Sequence, residues 1–340
     1  MNNNQRPGVY SRVEISGYRA GVGRGAAALL LPCREGESLG VYKLGSYRDA
    51  SGTLKGNRLA LECARLLFEG AARVTVVTAP SAAQAILEAS AVDFRVIVSG
   101  FTSTGELSAL RDYVGLAAHA GRECIAFAGI GEPEAAASAA QAMNSGRMVL
   151  CCPALEIAGG TPEEGAQPQA IYGACALAAA VLSAPSPVSN FDGLALEGLH
   201  LPEPLPEDEI QRLIGAGVCV FEQVGDVVEL IRAVSTHTRV EGGGSLLRSL
   251  NTVLIIDDVM AGIRGALKGK LSGSGKVSLE SLRDLVAVGL RGKQDDGIIM
   301  SFALPRVRPK EGDPSVALVE ISFRAAHLLS QIHLTANIRV

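Results

Sequence analysis

The sequence predicts an α/β fold: a mixed sheet flanked by helices, then a smaller α+β unit, with an amphipathic strand at each end of the chain. Three observations predict it. Between Lys55 and Pro153, short apolar runs alternate with amphipathic helical segments, the pattern of a sheet covered on both faces. A proline-rich stretch, Ala184-Pro-Ser-Pro187 with Pro202, Pro204 and Pro206, interrupts the alternation and restarts it. The first and last segments alternate apolar and polar residues with period two.

In Gly8–Tyr18, Val9, Val13 and Ile15 share one face and Tyr10, Arg12, Glu14 and Ser16 the other, as in a half-buried strand. Gly21–Gly25 reads as a flexible joint, and Ala26–Leu31 and Leu39–Leu44 as two further strands. Arg58–Phe68 is an amphipathic helix with Leu59, Cys63, Leu66 and Leu67 on one face. Strands follow at Arg73–Thr78, Phe94–Ser99, Glu123–Ala128 and Met148–Pro153. Helices at Ala82–Ala91, at Thr104–His119 behind a Ser103–Glu106 capping box, and at Pro133–Met143 separate them. Gln167–Ser183 is a helix of small residues.

Beyond the prolines, Glu207–Ile214 reads as a short helix, and Cys219–Glu222 with Val227–Ser235 as a hairpin around Gly225-Asp226. Gly242–Gly244 is a turn. Leu246–Leu267 and Ser278–Gly289 are helices linked by Ser272–Gly275, and Ile298–Leu304 and Ala317–Phe323 are strands. In the final segment Ile332, Leu334, Ala336, Ile338 and Val340 face one way, and His333, Thr335, Asn337 and Arg339 the other. The expected division is residues 1–20 as an N-terminal arm, 21–184 as the α/β unit, 185–331 as the α+β unit and 332–340 as a C-terminal strand. A terminal strand exposes unpaired backbone groups unless something pairs with it.

Of the 340 residues, 48% are hydrophobic, enough for a large core, but only 4% are aromatic, there is no Trp, and 39 are Gly. Small side chains permit close approach while burying little area each, so such a chain leans on neighbouring subunits. A net charge of -4 offers no basic surface for nucleic acid. The longest apolar run, Ala174–Leu182, is far short of the ~20 residues of a membrane span, and the polar start lacks the apolar core of a signal peptide. The expectation is a cytoplasmically made chain with neither nucleic acid nor membrane as partner. The seven cysteines, Cys33, Cys63, Cys124, Cys151, Cys152, Cys175 and Cys219, form no CxxC and no Cys/His zinc spacing, and read as free buried thiols.

Catalytic parts are missing. Gly21-Val-Gly-Arg-Gly25 leads into a strand, whereas a dinucleotide loop must open a helix whose N-terminus holds the pyrophosphate. Gly273-Ser-Gly-Lys276 lacks the first Gly of a phosphate loop and has Val277 where a magnesium-binding hydroxyl is needed. Asp257 and Asp258, adjacent on a helix, point apart and cannot readily chelate one ion; Asp295-Asp296-Gly297 reads as a turn. His119, His200, His237, His327 and His333 share no motif. No catalytic, cofactor or metal residue is assigned. The competing readings are an α/β enzyme binding a nucleotide or small molecule at its strand ends, and another self-assembling tube or shell protein.

Several segments, in order, resemble contractile tail sheath proteins of the small type carried by Gram-positive phages, prophages and R-type tailocins. Arg6-Pro-Gly-Val-Tyr10 resembles that family's start. Gln169–Ala180 followed by Ser186-Pro-Val-Ser-Asn190 resembles its small-residue helix and turn. Leu205–Leu213, Gly217-Val-Cys-Val-Phe221 and Val228–Thr238 resemble its short acidic helix and two strands, and Leu250–Asp257 the start of its long helix. The resemblance implies an outer α/β domain and an inner domain completed by both chain ends. It implies strand arms exchanged with neighbouring subunits, carried here by Val9, Tyr10, Val13, Ile15, Ile332, Leu334, Ile338 and Val340. It also implies a helical homo-oligomer around an inner tail tube, with baseplate and terminator proteins as partners. Such a particle is assembled in the bacterial cytoplasm and then acts as a phage-like tail. Ten extended residues span at most about 33–36 Å, enough to bridge adjacent subunits.

Overall fold

The computed structural model describes residues 25–158, 167–239, 246–273 and 278–326. Its frame is built from β1 (Ala26–Pro32), β2 (Gly40–Leu44), α1 (Tyr47–Thr53), α2 (Arg58–Phe68), β3 (Arg73–Ala79), α3 (Ala82–Ala89), β4 (Val96–Ser99) and α4 (Thr104–His119). It continues through β5 (Ile125–Gly129), α5 (Pro133–Met143), β6 (Met148–Cys152), β7 (Glu156–Ile157) and α6 (Ala170–Ser183). After the prolines come β8 (Leu194–Leu196), β9 (Leu199–His200), α7 (Glu207–Ala216), β10 (Val218–Val224) and β11 (Val227–Leu230).

Nine of these strands form one sheet in the order β2-β3-β1-β4-β5-β6-β10-β11-β8. The strands β3, β1, β4, β5, β6 and β10 run parallel, while β2 closes one edge antiparallel and the β10–β11 and β11–β8 pairs are antiparallel at the other. A short β7–β9 ribbon stands apart. Strand β1 shows why its sequence is apolar throughout. Ala27, Leu29 and Leu31 pack into the core shared with α2 and α6, and Ala28 and Leu30 into the opposite core with α3, α4, α5 and α7. Period-two alternation therefore buries both faces.

The expected division at 184/185 falls inside this sheet. Prolines end helices and strands, but they do not stop a later strand from returning, and β10 returns to pair in parallel with β6. The second structural unit begins at α8, described below. The Gly225-Asp226 hairpin forms as expected, with Gly225 at φ +60, the sign required at the first position of a type II′ turn. Ser103 caps α4 by accepting from the Glu106 amide, and its hydroxyl donates to the Glu106 carboxylate at 2.6 Å.

Helix α6 explains the abundance of small residues. Eleven of its fourteen residues are buried, against the sheet on one side and α2 on the other. A Cβ at Gly129 would overlap the Ala170 backbone, one at Gly70 would overlap the Ala179 carbonyl, and one at Gly173 would overlap the Phe221 ring. Glycine at these positions is what lets the helix approach.

All seven cysteines are free, six of them buried and Cys33 half-buried. Burial pushes the Cys124 and Cys152 thiols up to about 12, so they stay protonated and unreactive at neutral pH. Native protein treated with iodoacetamide at neutral pH is therefore expected to be alkylated at Cys33 alone, and at the other six positions only after denaturation. Mass spectrometry checks this; rapid native modification of Cys151 or Cys219 would contradict the packing.

Candidate assembly surface

The second unit is organised by α8 (Leu250–Gly273) and α9 (Leu279–Asp295). Helix α8 has 24 residues, about 36 Å of rise, and its register passes between two cores. Leu250, Val253 and Leu254 sit in the core of the nine-stranded sheet. Ile255, Ile256, Val259, Ile263 and Leu267 turn into a separate core. There they meet Leu282, Val286 and Leu290 of α9, spaced at i, i+4 and i+8 along one face. Ser278 caps α9 by accepting from the Ser281 amide at 3.1 Å.

Two small ribbons lie on this helix pair. Strand β12 (Ile299–Phe302) pairs antiparallel with β15 (Phe323–Ala325), with Ile299 opposite Ala325, Ser301 opposite Arg324 and a bulge at Met300. Ile299 is buried, and Phe302, Phe323 and Ala325 pack against the same core. The Arg291 guanidinium stands 5.7 Å from the centre of the Phe302 ring, and the Gln294 amide donates to the Met300 carbonyl at 2.9 Å. Strands β13 (Arg306–Lys310) and β14 (Asp313–Glu320) form a second hairpin, tied by Arg308 to Glu320 at 3.0 Å and turned at Gly312, φ +80.

The β12–β15 ribbon is the notable surface. Among the described residues these strands pair only with each other, so each has one outer edge without a strand partner there. A two-stranded sheet is marginal unless strands are added or something covers it. Met300 and Leu304, at 52% and 66% exposure, leave apolar surface beside that edge. The chain passes from β15 directly into residues 327–340. At its other end, residues 1–24 lead into the N-terminal end of β1. Because β1, β4, β5 and β6 are parallel, that is the end of the sheet where α8 docks, through Arg147 ahead of β6 and Glu123 ahead of β5. Both chain ends thus enter the described structure beside the second unit. The expected arm residues Val9, Tyr10, Val13, Ile15, Ile332, Leu334, Ile338 and Val340 lie outside the described residues.

At the opposite end of the sheet, where an α/β enzyme would place its site, the loops after β4 and β5 enclose an open hollow of about 470 Å³. Its lining is Thr102, Ser103, Thr104, Glu132 and Ser138 with Ile130, Gly131, Ala135 and Ala139, and no His, Lys or Cys is among these residues. Among the described residues no cluster of His, Cys, Asp and Glu is arranged to hold a metal, and no helix is long and apolar enough to cross a membrane. Asp257 and Asp258 diverge as adjacent helical residues must: Asp257 pairs with Arg147, and Asp258 with Lys293 at 2.6 Å.

No family model matches the chain, and no curated protein matches it. Solved structures do. The helical sheath of the anti-feeding prophage, in its contracted state, superposes with a TM-score of 0.69 at 12% identity, over 98% of this chain and 99% of that one. The contracted sheath of the extracellular contractile injection system PVC gives 0.69 at 11% identity, over 99% and 98%. A sheath tail protein from Listeria innocua gives 0.67 at 12% identity, over 91% and 96%. Over its described residues, this chain has the fold of these contractile sheath proteins.

Proposed function

We propose that the protein is a structural subunit of a contractile sheath. It assembles into a helical tube around an inner tail tube and contracts to drive that tube through a target envelope. The observation that carries this reading is the likeness to sheath subunits over nearly the whole of both chains. The two-stranded β12–β15 ribbon, from which the C-terminal segment runs on directly, supports a specific mode of assembly. Residues 9–15 and 332–340 of one subunit would add as strands to the ribbons of its neighbours, main-chain hydrogen bonds supplying affinity and the alternating apolar face supplying register.

In this arrangement the second unit forms the inner lattice and the nine-stranded sheet faces outward. Adding a strand from another copy is a heterologous contact that does not close, so a terminator or baseplate must limit growth. Contraction would rotate subunits as rigid bodies while the exchanged strands stay paired. Assembly would take place in the bacterial cytoplasm, before the chain becomes part of an extracellular, phage-like particle. No catalytic step or cofactor enters this reading.

Negative-stain micrographs of the purified full chain, concentrated at neutral pH, test it. Long tubes of uniform width are expected. Discrete particles at every concentration, with sedimentation of a monomer or small ring, would contradict it.

A further inference from the structure

Beyond its first turn, α8 meets the nine-stranded sheet through two ion pairs of opposite polarity. Arg147, immediately before β6, forms a bidentate pair with Asp257, one of its bonds being Nη1 to Oδ2 at 2.8 Å. Arg264 forms a second bidentate pair with Glu123, just before β5, and Nη1 also donates to the Gly121 carbonyl at 3.1 Å. All four side chains are largely buried: 18% and 4% exposed for Arg147 and Asp257, 14% and 8% for Arg264 and Glu123.

Asp257 and Arg264 are seven residues apart, so they share one helix face about two turns from each other, roughly 10 Å along the axis. Their partners precede adjacent parallel strands. The helix therefore reads acid then base, and the sheet end reads base then acid. Sliding α8 by two turns toward one side would set Asp257 against Glu123; sliding it the other way would set Arg264 against Arg147. Each places like charges in a buried site and leaves the remaining partners unpaired, which costs far more than a surface mismatch. An apolar contact of small residues carries no such penalty for slipping. Burial raises the Asp257 carboxyl above its ordinary range despite the neighbouring guanidinium; at Arg147 burial pulls the other way, but the charge and hydrogen bonds of Asp257 with the charge of Glu123 together leave that group raised.

We infer that Arg147–Asp257 and Glu123–Arg264 are a charge-coded register lock, which fixes the axial position of α8 on the sheet and so the orientation of the β12–β15 ribbon. These are positioning residues. Their importance for a sheath rests on the function proposed above, but the lock itself is a property of the single chain and can be read there.

The test uses the full chain with Cys33→Ser and spin labels at Asp112→Cys on α4 and Glu280→Cys on α9, both exposed positions. Pulsed electron resonance should give one narrow distance. Arg264→Glu is expected to shift or split it by up to about 10 Å, the two helical turns that bring position 264 opposite Arg147, and the swap Glu123→Arg with Arg264→Glu to restore it. If Arg264→Glu does not fold, Glu123→Gln with Arg264→Gln removes the code without repulsion and should broaden the distribution. An unchanged narrow distance in the folded Arg264→Glu or double-Gln variant overturns the lock. Tube formation is scored separately on the unsubstituted chain, so its failure would count against the sheath reading and not against the lock.

Discussion

Deletion of residues 332–340 is expected to leave a folded protein that builds no tubes. Among the described residues, the nine-stranded sheet has a core on each face and α8 and α9 share a third, so the fold is expected to survive the deletion. The β12–β15 ribbon, in contrast, has an outer edge on each strand and adjacent exposed Met300 and Leu304. Removing the segment would remove the strand proposed to complete a neighbour's ribbon, with its backbone donors and its Ile332, Leu334 and Ile338 face. Leu334→Pro is the milder version, since proline deletes one donor and disrupts pairing on either side. For both, circular dichroism should stay near that of the full chain while micrographs show no tubes. Ordered tubes of normal length from the truncated chain would mean that the lattice is held by other contacts.

The largest effect on stability is expected from Phe221→Ala. Phe221 is fully buried on β10, and its ring lies against Gly173 of α6. Truncating a buried Phe usually costs about 3–5 kcal/mol, through lost transfer energy and the cavity left behind. The upper part of that range applies here, because the neighbour is a glycine with no side chain to move into the space. Urea unfolding should show the lower midpoint with an unchanged slope. A loss below about 1 kcal/mol would mean that α6 collapses onto β10, and that its close seating is not what the small residues serve.

Much of this was legible in the sequence, for identifiable reasons. Helices α4 and α5 begin where the Ser103 capping box and Pro133 place them, because those residues act on the backbone locally. The strands from β3 to β6 are apolar on both faces and bounded by helical periodicity, so each stood out. Helix α1 was missed because it buries only Ala50 and has no apolar stripe; its signal was the Ser46 cap, which accepts from the Asp49 amide. Strand β13, Arg-Val-Arg-Pro-Lys, was missed because charge and a proline argue against a strand, and its partner β14 decides the matter. Helix α8 runs on to Gly273, past the expected end at Leu267 and into the expected linker.

Long-range pairing was the less legible part. The sequence showed that Asp257 and Asp258 diverge, but nothing local connects Asp257 to Arg147, 110 residues away, or Arg264 to Glu123. Nor did the prolines reveal that β10 would rejoin the sheet beside β6, since parallel pairing across a long connection leaves no mark in composition. The alternation at the two chain ends was plain, and for a similar reason it named no partner: a strand's own pattern specifies a face to bury, not the chain that buries it.

Helical reconstruction of the assembled tube by cryo-electron microscopy tests the central claim most directly. The account predicts that each β12–β15 ribbon gains strands at its outer edges, and that these trace to residues 9–15 and 332–340 of neighbouring subunits. A tube in which the ribbon stays two-stranded, with each subunit's ends folded against its own chain, would contradict it.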